Sequence, residues 1–312
     1  MSVLICGSMA YDMIMVFPDR FKNHILPEKI HMLSVSFMVP EMRREFGGCA
    51  GNIAYTLKML GGVPQIMATA GCDFAPYASR LDTLGIRRDS ILELADTFTG
   101  QCFLTTDLDD NQINAFHPGA MSFSHLNTVA DIKSPIELAI ISPDGKQGMQ
   151  EHCEQLASAN IPFIFDPGQG LPMFNAAELL RMITLASYVT VNDYELEMVL
   201  NTTGLSMDEL KKTAKVLIVT LGEDGSKIYE GGVCHDIPVV VADEVLDPTG
   251  CGDAYRAGLL YGISQGWDWP STGRLASLLG TLKIGYKGGQ NHVFSRDEIA
   301  ARFKHAFDLA LA

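Results

Sequence analysis

Short apolar runs alternate with longer helical patterns along most of this 312-residue chain, and that alternation restricts the folds open to it. VLIC (3–6), QIMATA (65–70), LAIIS (138–142), FIFD (163–166), YVTV (188–191) and LIVT (217–220) have the length and composition of buried strands. Between them AGNIAYTLKML, QGMQEHCEQLAS and NAAELLRMITLAS repeat apolar residues at helical spacing. Strand and helix in turn predict an α/β fold, a mostly parallel sheet with helices on both faces. The length suits one large domain or two smaller ones. Such sheets bind ligands beyond the carboxyl ends of their strands. Gly7 and Asp12, Asp166, Asn192 and Gly222 all fall at such ends.

Two stretches break the rhythm. Residues 13–46 hold IMVF and KIHMLSVSFMV without a long helix, and residues 97–117 hold QCFLTT and QINAF around the polar turn DLDDN. They form either a small accessory sheet built from two separated insertions or two ordinary surface hairpins.

Hydrophobic residues make up 47% of the chain and charged ones 19%, enough to bury a sizeable core. A formal charge of −14, spread without acidic runs, argues against nucleic acid as a partner, which would need a basic face. A small anionic ligand stays possible, because a local nest of amides holds one on an acidic protein. Seven dispersed cysteines with no C-x-x-C pair, and no H-E-x-x-H, argue against a disulfide framework or a zinc site. The apolar N-terminus carries Asp12 and reads as a first strand, and no stretch has transmembrane length. The expectation is a cytoplasmic protein with reduced thiols and no membrane partner.

Four segments carry candidate chemistry. EVLDPTGCGDAYRAGLLYGI (244–263) sets Gly250, Cys251, Gly252 and Asp253 where an amphipathic helix begins. A helix start offers unpaired N–H groups and a partial positive charge to an anion, and Asp253 is either its cap or a reactive carboxylate. FGGCAGNIAYTL (46–57) places Gly47 and Gly48 before another helix and Asn52 one turn into it. That is either a tight helix entry or a site whose amide suits hydroxyl groups. VNDYELEMVL gives Asn192 and Glu195 at i, i+3, a cap with a solvated glutamate or a pair that helps hold hydrated Mg²⁺. VTLGEDGSKIY supplies Thr220, Gly222 and Gly225, a hairpin turn or a ligand-lining one. There is no G-x-x-x-x-G-K-[ST] loop, no G-x-G-x-x-G after the first strand, and no G-x-S-x-G elbow.

Taken in order, GGCAGNIA, NDYE, TLGEDG and DPTGCGDAYRAG closely resemble the signatures of the ribokinase-like (PfkB) family of carbohydrate and nucleoside kinases. The resemblance implies one kinase domain over 1–312, a three-layer α/β fold with a mostly parallel central sheet and a small β lid from the insertions at about 13–46 and 97–117. It implies Asp253 as catalytic base, and the amides of Gly250, Cys251 and Gly252 as anion hole for the transferring phosphoryl group. Asn192 and Glu195 would organise Mg²⁺ and the ATP phosphates through water, Glu195 being the metal partner. Thr220, Gly222 and Gly225 would line the nucleotide, and Asp12, Gly47, Gly48 and Asn52 the acceptor. Cys251 stands where the family more often has alanine. Arg256 is an unusual choice there, suited to a phosphate oxygen or to a salt bridge. Parts of the family use K⁺, for which Asp243 and the stretch around Gly288 are candidate oxygen donors.

The acceptor is less clearly written. Phe17, Phe37, Met38, Phe98, Phe103 and Phe116, with Met13, Met15 and Met32 nearby, would line a slot for a purine or serve as the lid's own core. DPGQG and GYKGGQNH resemble the bacterial adenosine and nucleoside kinases more than ribokinase. The expectation is therefore a nucleoside 5′-kinase, with a sugar kinase as the alternative. Either would act as a monomer or as a homodimer paired through the lid.

Overall fold

The computed structural model describes residues 2–109 and 111–311. Asp110, in the DLDDN turn, and the two terminal residues lie outside them. The larger sheet contains β1 (Ser2–Cys6), β4 (Val63–Gly71), β5 (Arg87–Leu94), β8 (Leu138–Ile141), β9 (Phe163–Phe165), β10 (Tyr188–Asn192), β11 (Val216–Thr220), β12 (Ser226–Glu230) and β13 (Val233–Ile237). Their spatial order is β13-β12-β11-β10-β9-β8-β1-β4-β5, parallel from β11 to β5, with β12 and β13 antiparallel at one edge.

Alternate residues along these strands go to opposite helical layers. Val3 and Ile5 of β1, Leu138 and Ile140 of β8, and Val216 and Ile218 of β11 pack against α1 (Cys49–Met59), α2 (Ala75–Leu84), α7 (Cys251–Ser264), α8 (Trp269–Ile284) and α9 (Arg296–Phe307). Their neighbours Leu4, Cys6, Ala139, Ile141, Leu217 and Val219 pack against α3 (Lys146–Ser158), α4 (Ala176–Leu185), α5 (Asp193–Thr203) and α6 (Met207–Thr213). Strands covered on both faces read as unbroken apolar runs, which is why these were visible in the sequence. Each fully buried Leu, Ile or Val contributes about 1.5–3 kcal/mol, so the two layers are the main source of stability.

The two irregular stretches do join. β2 (Ala10–Val16), β3 (Glu41–Gly47), β6 (Gly100–Thr106) and β7 (Gln112–His117) make a separate sheet in the order β3-β2-β6-β7. KIHMLSVSFMV, though apolar, supplies no strand to it; the strand is EMRREFG, immediately before the helix entry. Leu33 and Met38 instead lie on the surface, 53% and 86% exposed, with no neighbouring strand to pair with. In this sheet Asp12 stands beside Glu45 and Cys102, and Cys102 beside Phe116, so all four share one face. Met13, Phe103 and Ala115 share the other. At the far end Phe17 and Phe21 stack 5.8 Å apart and Phe37 packs on both. No helix among the described residues is long and apolar enough to cross a membrane.

Candidate active site

The cleft between the two sheets gathers residues far apart in sequence. Asn52 lies in α1, Asp253 in the first turn of α7, and Asn52 Nδ2 donates to Asp253 Oδ2 at 2.8 Å. The amide is fixed from behind: Gln290 Nε2 donates to Asn52 Oδ1 at 3.2 Å and to Tyr77 Oη at 2.5 Å. Tyr77 Oη in turn donates to the Gly47 carbonyl at 2.8 Å. With Oδ1 occupied by a donor, Asn52 can present only its NH₂ to Asp253.

Gly250 precedes α7 with φ at +79°, a left-handed conformation that costs glycine least. Cys251 donates its amide to Pro248 O at 3.1 Å, while Gly250 and Gly252 make no backbone hydrogen bond through their amides to another described residue. Two of the three expected anion-hole amides are thus open, and Cys251 is engaged in the turn. Burial pushes the Asp253 carboxyl up from its ordinary range, against the opposing pull of the Arg256 guanidinium and the Asn52 hydrogen bond.

Arg256 lies almost wholly inside. Its Nη2 donates to Asp166 Oδ1 at 2.6 Å, and a second contact joins Nε to the other carboxylate oxygen. The two side chains are 11% and 2% exposed, so this is a buried ion pair, with the guanidinium tip beside Gly252. The salt-bridge alternative for Arg256 is the one realised. Its partner was missed, although Asp166 sits at a strand end where ligands gather.

Asp12 faces the cleft from the lid. Its carboxyl is pushed up to about 6, first by burial and then by the negative charges of Asp253, Asp247 and Glu45. Gly47 makes room for it: a side chain there would strike the Asp12 carboxylate, whose Cγ would lie 2.9 Å from the added carbon. Gly48, with φ at +84°, is the residue before α1. Glu45 accepts from Asn291 Nδ2 at 2.8 Å, tying the lid to the loop that also carries Gln290.

Asn192 and Glu195 form a reciprocal capping box: Asn192 Oδ1 accepts from the Glu195 amide at 2.7 Å and Glu195 Oε2 from the Asn192 amide at 2.8 Å. One Glu195 oxygen is thereby committed to the helix, leaving the other for outside partners. Burial pushes the Glu195 carboxyl up, and Asp166 and Arg256 are among its charged neighbours. No cluster of three His, Cys, Asp or Glu side chains suited to a metal ion occurs among the described residues. The one free oxygen of Glu195 fits Mg²⁺ that keeps most of its ligands as water and phosphate. Thr220 lies beside Asn192 across the sheet, and Gly222 and Gly225 form the tight turn joining β11 to β12. Among the aromatic candidates, Phe17 and Phe37 belong to the far cluster, leaving Phe116 on the face that bears Asp12. His292 is buried, with Nε2 at 3.0 Å from Thr56 Oγ1, and supports α1. Asp243 is exposed and bonded to Arg302.

The family model described as pfkB family carbohydrate kinase matches residues 9–295. The nucleoside kinase of Methanocaldococcus jannaschii is 30% identical over 280 residues, 89% of this chain and 91% of that protein. The structure of Burkholderia thailandensis nucleoside kinase in complex with inosine is 54% identical, with a TM-score of 0.90 over 99% of each chain. The same enzyme in complex with ADP-inosine superposes with a TM-score of 0.87, covering 99% of this chain and 97% of that one. A family match over nearly the whole length, with the two-sheet architecture and the glycine-led helix start, means that this chain belongs to the pfkB family of carbohydrate kinases.

Proposed function

We propose that the chain is an ATP-dependent nucleoside kinase that phosphorylates the 5′-hydroxyl of a purine nucleoside. The observation that carries this reading is the Asp253 carboxylate, held by Asn52 at the open start of α7 and faced by Asp12 from the lid. The relative solved with inosine and with ADP-inosine supports the choice of nucleoside and nucleotide.

In this reading Asp253 takes the proton of the 5′-hydroxyl as its oxygen attacks the γ-phosphorus, and ADP leaves. A carboxylate pushed up by burial is a stronger base than one in water, and the Arg256 guanidinium beside it favours the charged form. The open amides of Gly250 and Gly252, with the positive end of α7, receive charge on the phosphoryl oxygens. Such transfers depend mainly on positioning and electrostatic stabilisation. Asp12, beside Gly47 and Gly48, accepts from the ribose hydroxyls, and Asn52 orients the base. Phe116, on the same lid face as Asp12, would stack on the purine. Glu195, through its free oxygen, would hold Mg²⁺ by way of water, and the ion supplies charge neutralisation on the phosphates. Thr220, Gly222 and Gly225 line the nucleotide at the β11–β12 turn. Closing the lid over the acceptor excludes water, so that ATP is not hydrolysed instead.

The test is a steady-state assay with Mg·ATP across adenosine, inosine, guanosine, cytidine, ribose and fructose. A much higher kcat/KM for nucleosides supports the proposal. A preference for ribose or fructose overturns the acceptor assignment in favour of a sugar kinase.

A further inference from the structure

A fully buried lysine lies directly behind the start of α7. Lys283, in the last turn of α8, has no exposed surface. Its Nζ donates to the carbonyls of Asp247 and Tyr286, both at 2.8 Å. No carboxylate lies within ion-pair distance of it among the described residues. An ammonium without a paired carboxylate is expensive to bury. It is solvated here by carbonyl oxygens, near the C-terminal end of α8 where helix dipoles favour positive charge.

The Asp247 carbonyl belongs to the turn that leads into the reaction site, and the Tyr286 carbonyl to the segment that follows α8. Ile284 O accepts the amides of Leu246 and Asp247 at 2.9 and 3.1 Å. The Asp247 carboxylate is itself spent on the amides of Thr249 and Gly288, both at 2.8 Å. Four bonds and the ammonium therefore fix residues 246–249 immediately before Gly250. Cys251, Asp247, Asp253 and His292 all feel the Lys283 charge. A weakly hydrated monovalent ion held by backbone carbonyls would sit in such surroundings.

We propose that the Lys283 ammonium is a built-in monovalent cation, a positioning residue that shapes the turn before Gly250 and adds positive charge behind it, so that this chain transfers phosphoryl groups without bound K⁺. The proposal rests on the phosphoryl-transfer reading of the α7 start. It names a side chain in a role that a dissociable ion would otherwise fill.

The decisive measurement uses the unaltered protein. Inosine phosphorylation is assayed at constant ionic strength in potassium, sodium and tetramethylammonium chloride. The expected result is a kcat that varies by less than about twofold, whereas a bound ion would make activity collapse in tetramethylammonium. Lys283→Met should lower kcat by ~10²–10³-fold, the scale of losing one preorganised charge, with little change in the KM for inosine. Lys283→Ala opens space at the same carbonyls, and K⁺ or NH₄⁺ should restore part of its activity where tetramethylammonium does not. Steep K⁺ dependence of the unaltered protein overturns the proposal. So does a Lys283→Met variant with undiminished kcat, or a folded Lys283→Ala variant that no cation rescues. Should both variants fail to fold, the salt series on the unaltered protein decides alone. Absence of transfer to any nucleoside in every salt would instead count against the kinase reading itself.

Discussion

The start of α7 and the lid face each other across one cleft but are built on opposite principles. Around α7, every group that could move is held from behind: Asn52 by Gln290, Arg256 by Asp166, and the turn before Gly250 by Asp247 and Lys283. The lid is a four-stranded sheet whose outermost strand, β7, is exposed along its whole length. One aromatic cluster lies at its far end, and only the near ends of β2 and β3, through Tyr11 and Phe46, pack on Tyr77 of the body. Preorganised charge is most effective where nothing must rearrange during reaction, whereas segments that open and close must be held by few contacts. The contrast implies that the reaction is set by the body and the choice of acceptor by the lid.

Four experiments break or sharpen that division, in descending order of effect. Asp253→Asn should lower kcat by about 10²–10⁴-fold, the usual range for losing a positioned base, while inosine still raises the melting temperature. Near-normal turnover would remove the body's claim to the chemistry. Asp166→Ala leaves the Arg256 guanidinium buried and unpaired, and should destabilise the fold by about 3–5 kcal/mol in urea unfolding. If the loss is small, the rigidity attributed to the α7 surroundings is not there. Phe116→Ala, on the lid, should lower kcat/KM for inosine by about tenfold, consistent with a stacking loss of ~1–3 kcal/mol, and leave kcat unchanged. A fall in kcat instead would mean that the lid also shapes the reaction. The mildest is pH. Asp12 titrates at about 6, so its carboxylate is ionised above that value and protonated below it. The kcat/KM for inosine should therefore fall as pH drops through 6, and Asp12→Asn should abolish that inflection while lowering the plateau.

The same division decided what could be read from the sequence. Body strands such as VLIC and LAII were legible because burial on two faces leaves no polar residue in them. EMRREFG was not, because a lid strand with charged residues along it lacks the signal of a buried strand. KIHMLSVSFMV misled for the converse reason: Met32, Leu33 and Met38 lie exposed on the surface, while Phe37 packs on Phe17 and Phe21 without any strand. Asp253, Asn52 and the glycines stood out because each site motif is local in sequence. The Arg256–Asp166 pair spans 90 residues and the Lys283–Asp247 bond 36, and no short motif records either one. A lysine in the last turn of an apolar helix reads as a favourable dipole contact with its head in water. Only the tertiary structure places that head beside Asp247 and Tyr286.

The bonds made by Asn52 carry a further consequence, for the order in which the molecule comes into being. Its partners Asp253 and Gln290 lie 201 and 238 residues downstream. At ordinary rates of synthesis, Gln290 leaves the ribosome on the order of ten seconds to a minute after Asn52. For most of that interval the glycine pair and the first strands of the sheet exist with no α7 to meet them. The cleft is thus among the last parts of the protein to form, and a chain released before Gln290 would hold most of the sheet but not the contact that orients Asn52.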